Sequence, residues 1–212
     1  ERLGGLADEL VFVGGCTTGV LITDPAASEV RPTDDVDAIV EAATYAQYTA
    51  SSERLRGAGF SNVTSEDAPI CRWIGGGVKL DVMPVTGEFL GFTNTWYEAA
   101  VKTAEPVTIA PGVSIRVVTP PYFCATKLEA FTGRGNHDFL ASHDLEDLIS
   151  VIDGRPELVD ELRNAPDDLR KFIGAYIRDV IATREFLDAL PGLLGEGEAD
   201  PAEAGVAALD AL

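Results

Sequence analysis

Two aspartates separated by a single residue are the sharpest chemical feature of this sequence. The segment Thr33-Asp34-Asp35-Val36-Asp37 reads as the start of a strand, and residues two apart in a strand point to the same face. Two carboxylates at such close range repel each other unless a cation lies between them. Oxygen ligands held in this way suit Mg²⁺, which prefers a few carboxylates plus substrate phosphates. An acidic loop or a helix N-cap is the alternative interpretation.

A third aspartate, Asp81, lies in the alternating sequence VKLDVM. Leu80 and Val82 form the apolar face of the expected strand, so Asp81 projects from the opposite face. On a solvated edge strand such an acid is ordinary. It becomes a third metal ligand if the fold brings it to the first two aspartates.

A glycine pair, Gly14-Gly15, follows the apolar run LVFV and precedes an expected helix. Glycines at this place let backbone N–H groups approach a phosphate closely, and the helix N-terminus adds positive potential. The same pair also serves as an ordinary turn between a strand and a helix. The pattern alone leaves both interpretations open.

A lysine between two aromatic residues stands out in the C-terminal half. Phe123, Lys127 and Phe131 are spaced four residues apart and share one stripe of an expected helix. Burying an ammonium without a partner is costly, so Lys127 either extends to water along its aliphatic stem or delivers a positive charge beside bound phosphates.

Two further acids, Asp144 and Asp147, open the next helix and are neighbours on one of its faces. Acids in a first helical turn are favoured by the helix dipole, so capping is the simpler explanation for them. Arg134, between the two helices, is either a phosphate or acceptor contact or a plain loop residue.

The elements that must position these residues change character at Pro120-Pro121. Before that point apolar runs and glycine turns predict mainly strands, and after it the pattern predicts helices, which together indicate an α+β fold with a helical C-terminal half. We expect strands over 10–13, 33–41, 70–74, 78–85, 107–109 and 113–118. We expect helices over 3–9, 16–22, 45–58, 121–131, 143–152, 156–164 and 168–189. The corresponding domains are a core over 1–120, a helical region over 121–190 that completes the active-site cleft, and an acidic tail over 191–212.

Composition restricts the function classes. The 212 residues carry 35 acids against 16 Lys and Arg, a net charge of -19, which argues against a protein that coats nucleic acid. Three dispersed cysteines and two histidines form neither a disulfide framework nor a zinc motif. No apolar run approaches the length of a membrane span, and the opening ERLGGLADEL has no export-signal character. We therefore expect a cytoplasmic protein with no membrane partner.

The motifs together resemble the nucleotidyltransferase superfamily, which includes DNA polymerase beta-like enzymes. The matching residues are Gly14-Gly15, Asp35-Val36-Asp37 and Asp81. Arg31-x-Thr33-x-Asp35-Val36-Asp37 is similar to the motif of the AbiEii-like (AbiEii/AbiGii) toxin nucleotidyltransferases. Lys127-x-x-Ala130, Arg134 and His143-Asp144-x-x-Asp147 resemble that family's distal elements, with His143 standing where the family commonly has Arg. The resemblance covers roughly residues 10–152 and implies a mixed β-sheet core with flanking helices.

The resemblance implies a role for each matching residue. Asp35 and Asp37 would hold two Mg²⁺ ions, and Asp81 would bind the second ion or help to deprotonate the attacking hydroxyl. Lys127 would offset charge on the triphosphate and on leaving pyrophosphate, and Asp144 would orient Lys127 or lie near the acceptor. The nucleotide-binding residues would be Gly14, Gly15, Thr17, Thr18 and Lys127, and the acceptor-binding residues Arg31 and Arg134.

The implied reaction is Mg²⁺-dependent transfer of a nucleoside monophosphate from an NTP to an acceptor hydroxyl. The expected acceptor is RNA, the tRNA 3′ end, in a toxin–antitoxin or phage-defence system with a possible antitoxin partner. Because the chain is acidic, RNA would have to meet a local basic cluster such as Arg31, Arg72, Lys127 and Arg134. The alternatives are transfer to a protein side chain or to a small molecule such as an aminoglycoside, or a non-catalytic nucleotide-binding module.

Overall fold

The computed structural model describes residues 2–65, 68–87, 89–134, 138–139 and 141–193. The chain forms two compact units, the first from Glu1–Thr17 and Pro32–Thr119, the second from Thr18–Arg31 and Pro120–Leu212. The domain boundaries expected at 120 and 190 stay a prediction, and most of the acidic tail, residues 194–212, lies outside the described residues.

The first unit is built on a mixed sheet that has seven strands in the described ranges, in the order β3-β4-β5-β2-β1-β7-β6. Strand β2 lies at its centre, antiparallel to β1 and parallel to β5. The strands are β1 (Leu10–Val13), β2 (Asp35–Val40), β3 (Ser61–Asn62), β4 (Arg72–Gly75), β5 (Val78–Pro84), β6 (Glu105–Ala110) and β7 (Val113–Val117). A 3-10 helix (Gly4–Glu9) and helices α1 (Gly15–Leu21), α2 (Tyr45–Gly57) and α3 (Tyr97–Thr103) accompany them.

One face of this sheet carries the apolar core of the first unit. Alternate residues of the strands, among them Ala38, Trp73 and Leu80, pack there with Tyr48 and Leu55 of α2. Helix α2 begins at a capping box in which Thr44 accepts from the Gln47 backbone N–H and the Gln47 side chain reaches back, as such an N-terminus requires. The core side therefore fixes which residues of β2, β4 and β5 point to the other face.

The second unit is helical, with α4 (Pro120–Arg134), α5 (His143–Gly154), α6 (Leu158–Arg163), α7 (Asp167–Ile181) and α8 (Arg184–Leu193). Its core includes Phe123, Phe131, Leu145, Leu162 and Ile173. A mixed sheet followed by a helical C-terminal half confirms the α+β prediction. No helix in the described ranges combines the length and apolar character that crossing a bilayer requires.

The predicted helix over 168–189 is wrong, because the structure divides it into α7 and α8. The backbone N–H and the hydroxyl of Thr183 both donate hydrogen bonds to the carbonyl oxygen of Val180, at 3.0 and 2.7 Å. A hydroxyl that bonds its own backbone in this way competes with helix continuation, and α8 starts one residue later. The short elements α3 and β3 have no counterpart in the predicted elements.

Candidate functional site

Three aspartates of the first unit lie on the sheet face opposite the apolar core. The parallel register of β2 and β5 places Asp37 directly beside Asp81 and Asp35 beside Lys79. Side chains at paired positions share a face, and so do residues two apart on one strand. The structure therefore brings Asp35, Asp37 and Asp81 together, as the sequence predicts.

Arg72 joins two of these carboxylates. Its Nε donates to Asp81 Oδ1 at 2.8 Å, and its Nη2 donates to Asp81 Oδ2 and to Asp35 Oδ2, both at 2.7 Å. Thr33 adds a hydroxyl donor to Asp35 Oδ1 at 3.1 Å. The hydrogen bonds to Asp81 and the two nearby charges hold the pKa of Arg72 above its ordinary value, so this guanidinium stays charged. We call Asp35, Asp37, Asp81 and Arg72 the acid cluster.

Arg72 is expected among the RNA-contacting residues, and its bond to Asp81 is not predicted, although the sequence contains a signal for that bond. Gly76 and Gly77 both have positive φ, 60° and 82°, as a two-residue hairpin turn requires. A two-residue turn at these glycines pairs Gly75 with Val78 and, three residues further out, Arg72 with Asp81. The glycine turn alone therefore sets the acid–base contact.

Gly14 leaves room for the Asp37 carboxylate. Its φ is +71°, and a Cβ placed there would lie 2.8 Å from Cγ of Asp37 and overlap Oδ2. Real Cβ atoms do not come so close to other heavy atoms, and residues other than glycine rarely adopt this φ. Gly14 is therefore required by the position of Asp37, which links the glycine pair to the D-x-D strand by direct packing.

The two threonines after the glycines are buried. Thr17 donates its hydroxyl to the carbonyl of Gly14 at 2.8 Å, which closes the turn into α1. The hydroxyl of Thr18 is buried with no hydrogen-bond partner in the described part of the chain. Their assignment to nucleotide binding stays a prediction, since the observed contact of Thr17 is to its own turn.

In the second unit Lys127 lies on the buried stripe with Phe123 and Phe131, as predicted. The Lys127 side chain is 7% exposed, and its Nζ bonds Asp147 Oδ2 at 2.6 Å and Asp144 Oδ1 at 3.0 Å. Nζ also lies 5.8 Å from the ring centroid of Phe123. The ammonium is thus compensated by carboxylates and does not extend to water.

Asp147 is the acid on which this second group converges. The Oδ2 that bonds Lys127 also accepts from Nη2 of Arg31 at 2.9 Å, and the Asp147 side chain is only 2% exposed. The resemblance implies that Asp144 orients Lys127 or lies near the acceptor, and it assigns no separate role to Asp147. We call Arg31, Lys127, Asp144 and Asp147 the paired cluster.

The remaining candidate, Arg134, ends α4, and its side chain lies outside the described residues. Its assignment to acceptor binding stays a prediction. That of Arg31 does too, although its guanidinium is engaged by Asp147.

The donor chemistry of the acid cluster fits a divalent cation, because three carboxylates offer oxygen ligands on one face. Because residue 14 is glycine, no side chain from that position crowds the Asp37 carboxylate. Nevertheless, among the described residues no group of three or more His, Cys, Asp or Glu is arranged so that it could hold a metal ion. The arrangement instead neutralises Asp35 and Asp81 with Arg72.

Compared with known proteins, the chain matches no family model, and it matches none of the curated sequences. The resemblance to nucleotidyltransferases therefore rests on the motifs and on where the fold positions them.

Proposed function

We propose that the protein is a nucleotidyltransferase that moves a nucleoside monophosphate from an NTP to an acceptor hydroxyl, with the tRNA 3′ end as the acceptor. One observation carries the proposal. Asp35, Asp37 and Asp81 lie on one face of two neighbouring parallel strands, directly beside a glycine that packs on Asp37.

The reaction would be an in-line displacement at the α-phosphorus. The acceptor oxygen forms a new bond to phosphorus, the bond from phosphorus to the bridging α,β-oxygen breaks, and pyrophosphate leaves with its electrons. Asp35, Asp37 and Asp81 would hold Mg²⁺, which supplies charge neutralisation on the triphosphate. As an alternative to metal binding, Asp81 would accept the proton of the attacking acceptor hydroxyl.

The function would place the protein in a toxin–antitoxin or phage-defence setting, a proposal that comes from the AbiEii-like motif set alone. The assignment of Lys127 to nucleotide binding stays a prediction, since its ammonium bonds Asp144 and Asp147.

The test supplies labelled NTPs, Mg²⁺ and total tRNA to the wild type and to the double variant Asp35→Ala/Asp37→Ala. We expect labelled tRNA and released pyrophosphate with the wild type and neither with the variant. Asp34→Ala is the matched control, because it removes the neighbouring carboxylate, which is 94% exposed and bonded only loosely to Lys79 at 3.7 Å. Circular dichroism of all three proteins establishes that each is folded.

Equal labelling by the double variant would show that these aspartates do not carry the chemistry. Labelling of a protein and not of RNA would contradict the proposal that tRNA is the acceptor. A cationic small molecule is the second acceptor class, favoured by the net charge of -19 because an acidic surface attracts cations. Aminoglycosides in the same assay separate it from tRNA.

A further inference from the structure

The acid cluster already contains a cation of its own. Arg72 makes three hydrogen bonds to two carboxylates, two to Asp81 and one to Asp35, all between 2.7 and 2.8 Å. Charge-assisted bonds in this fork geometry are among the strongest that side chains form. Because Arg72 and Asp81 are directly opposed in the β4–β5 register, the backbone keeps the two side chains within reach of each other.

A guanidinium and a metal ion cannot both use these oxygens. Arg72 engages both oxygens of Asp81 and Oδ2 of Asp35, and a divalent cation placed beside it would meet a like charge at short range. Arginine does not lose its proton in proteins, so its charge leaves the carboxylates only if the side chain moves. With a side chain 21% exposed, Arg72 has access to water.

The charge balance leaves the cluster open to a stronger cation. The two carboxylates that Arg72 bonds, Asp35 and Asp81, carry two negative charges against its single positive charge, so an excess of negative charge remains when Arg72 is in place. A divalent ion compensates more of that charge than Arg72 does. Without either cation, three carboxylates would repel one another on one sheet face, and the folded state would be less stable.

We propose that Arg72 is an internal counter-ion that competes with a divalent cation for Asp35 and Asp81 and withdraws when the cation binds. The proposal rests on the proposed function, since that function supplies the metal. It assigns Arg72 two effects: it stabilises the metal-free fold, and it weakens metal binding. Arg72 is thus a positioning residue that sets the metal concentration at which the site becomes loaded.

Isothermal titration calorimetry with Mn²⁺ and Mg²⁺ tests the proposal on the wild type, Arg72→Gln and Arg72→Lys. We expect Arg72→Gln to bind metal about tenfold more tightly than the wild type, roughly 1.4 kcal/mol. Arg72→Lys should fall between them, because lysine keeps the charge but loses the fork. The matched control is Arg56→Gln, which removes the same charge from an exposed ion pair with Glu53 in the same unit and should bind metal as the wild type does.

Urea unfolding supplies the second measurement. Without metal, Arg72→Gln should unfold at a lower urea concentration than the wild type, and saturating Mg²⁺ should raise its midpoint by more than it raises that of the wild type. If Arg72→Gln folds only in the presence of metal, that result also supports the proposal, because metal then supplies all of the stabilisation that Arg72 gives the wild type.

Equal or weaker metal binding by folded Arg72→Gln overturns the proposal and makes Arg72 a fixed support for Asp81, while the proposed function stands if NTP transfer is observed. If Arg72→Gln does not fold, Arg72→Lys must still bind metal more tightly than the wild type, or the proposal fails. Failure of every protein, including the wild type, to bind either ion overturns both this proposal and the metal site of the proposed function.

Discussion

The acid cluster and the paired cluster use the same side-chain types in opposite proportions. In the acid cluster two carboxylates, those of Asp35 and Asp81, share one guanidinium, and the Asp35 side chain remains 33% exposed. In the paired cluster two cations face two aspartates, and the central acid, Asp147, is 2% exposed. The acid cluster therefore keeps an excess of negative charge near the surface, whereas in the paired cluster the charges are balanced and buried.

Under the proposed function, this difference separates a site that would bind a cation from one that holds side chains in place. A buried charge persists only if it is paired, which the paired cluster achieves through its own residues. The acid cluster is only partly compensated, so it gains from an ion supplied by solution. Removing one acid from each cluster should consequently change stability by very different amounts.

The largest expected effect is that of Asp147→Asn. It removes the negative charge that both Lys127 and Arg31 bond, and breaking a buried pair costs about 3 to 5 kcal/mol of unfolding free energy. Asp37→Asn, which relieves repulsion across the β2–β5 register, should change stability by less than about 1 kcal/mol. Urea unfolding of the metal-free proteins measures both.

Glu146→Gln is the control for the paired cluster. Glu146 lies 3.6 Å from Nε of the same Arg31 but is 36% exposed, and exposed pairs contribute about 1 kcal/mol or less. If Asp147→Asn is no more destabilising than Glu146→Gln, the paired cluster is not the buried, balanced group described above.

The sequence predicts some of this contrast and not the rest. The alternation of the D-x-D strand is local, so the shared face of Asp35 and Asp37 is predictable. The pairing of Asp37 with Asp81 in the β2–β5 register does not follow from any local pattern and is expected only from the family resemblance. It depends on β2 and β5 being neighbours although β3 and β4 lie between them in the chain. For Lys127 the aromatic stripe indicates that a buried partner is needed. That Asp144 and Asp147 both bond Lys127 depends on the packing of α4 on α5, which no local pattern contains.

The next largest effect concerns the glycine beside the acid cluster. Gly14→Ala must adopt a φ near +71° and displace the Asp37 carboxylate, which should cost about 2 to 4 kcal/mol. Gly112→Ala is the matched control, since its φ is +76° and nothing lies within 4 Å of the added Cβ. Its cost should be the backbone strain alone, about 1 to 2 kcal/mol.

Thermal and urea unfolding of both glycine variants give the comparison. The excess cost of Gly14→Ala over Gly112→Ala measures the clash with Asp37. Adding Asp37→Gly to Gly14→Ala should remove that excess, because the carboxylate is then absent. An unchanged excess would show that Gly14 serves the turn and not the acid cluster.

The smallest expected effect at neutral pH is a dependence of stability on alkaline pH, which appears only above about pH 9 and which both units share for different reasons. Burial raises the pKa of Cys71 to about 12, with a further contribution from the negative charge of Asp81. Burial likewise raises the pKa of Cys124 to about 12, with a contribution from Glu161. Both thiols have an ordinary value of 9.0, so each stays protonated in the folded protein at a pH where the unfolded chain loses the proton.

The unfolded state then binds fewer protons than the native state, so unfolding free energy falls as pH rises above about 9, by at most about 1.4 kcal/mol per pH unit for each thiol. Below about pH 9 neither thiol contributes a slope. Cys71→Ala and Cys124→Ala should each flatten the decline in urea unfolding measured between about pH 8 and pH 10.5, and the double variant should flatten it further.

The slope that remains belongs in part to Tyr48, whose pKa burial also raises to about 12. Asp81 contributes to the raised pKa of Cys71 and of Tyr48 but not to that of Cys124. Asp81→Asn should therefore flatten the decline more in a Cys124→Ala background, where Cys71 and Tyr48 both remain, than in a Cys71→Ala background, where only Tyr48 responds. Equal effects in the two backgrounds would mean that the charge of the acid cluster does not reach the thiol beneath it.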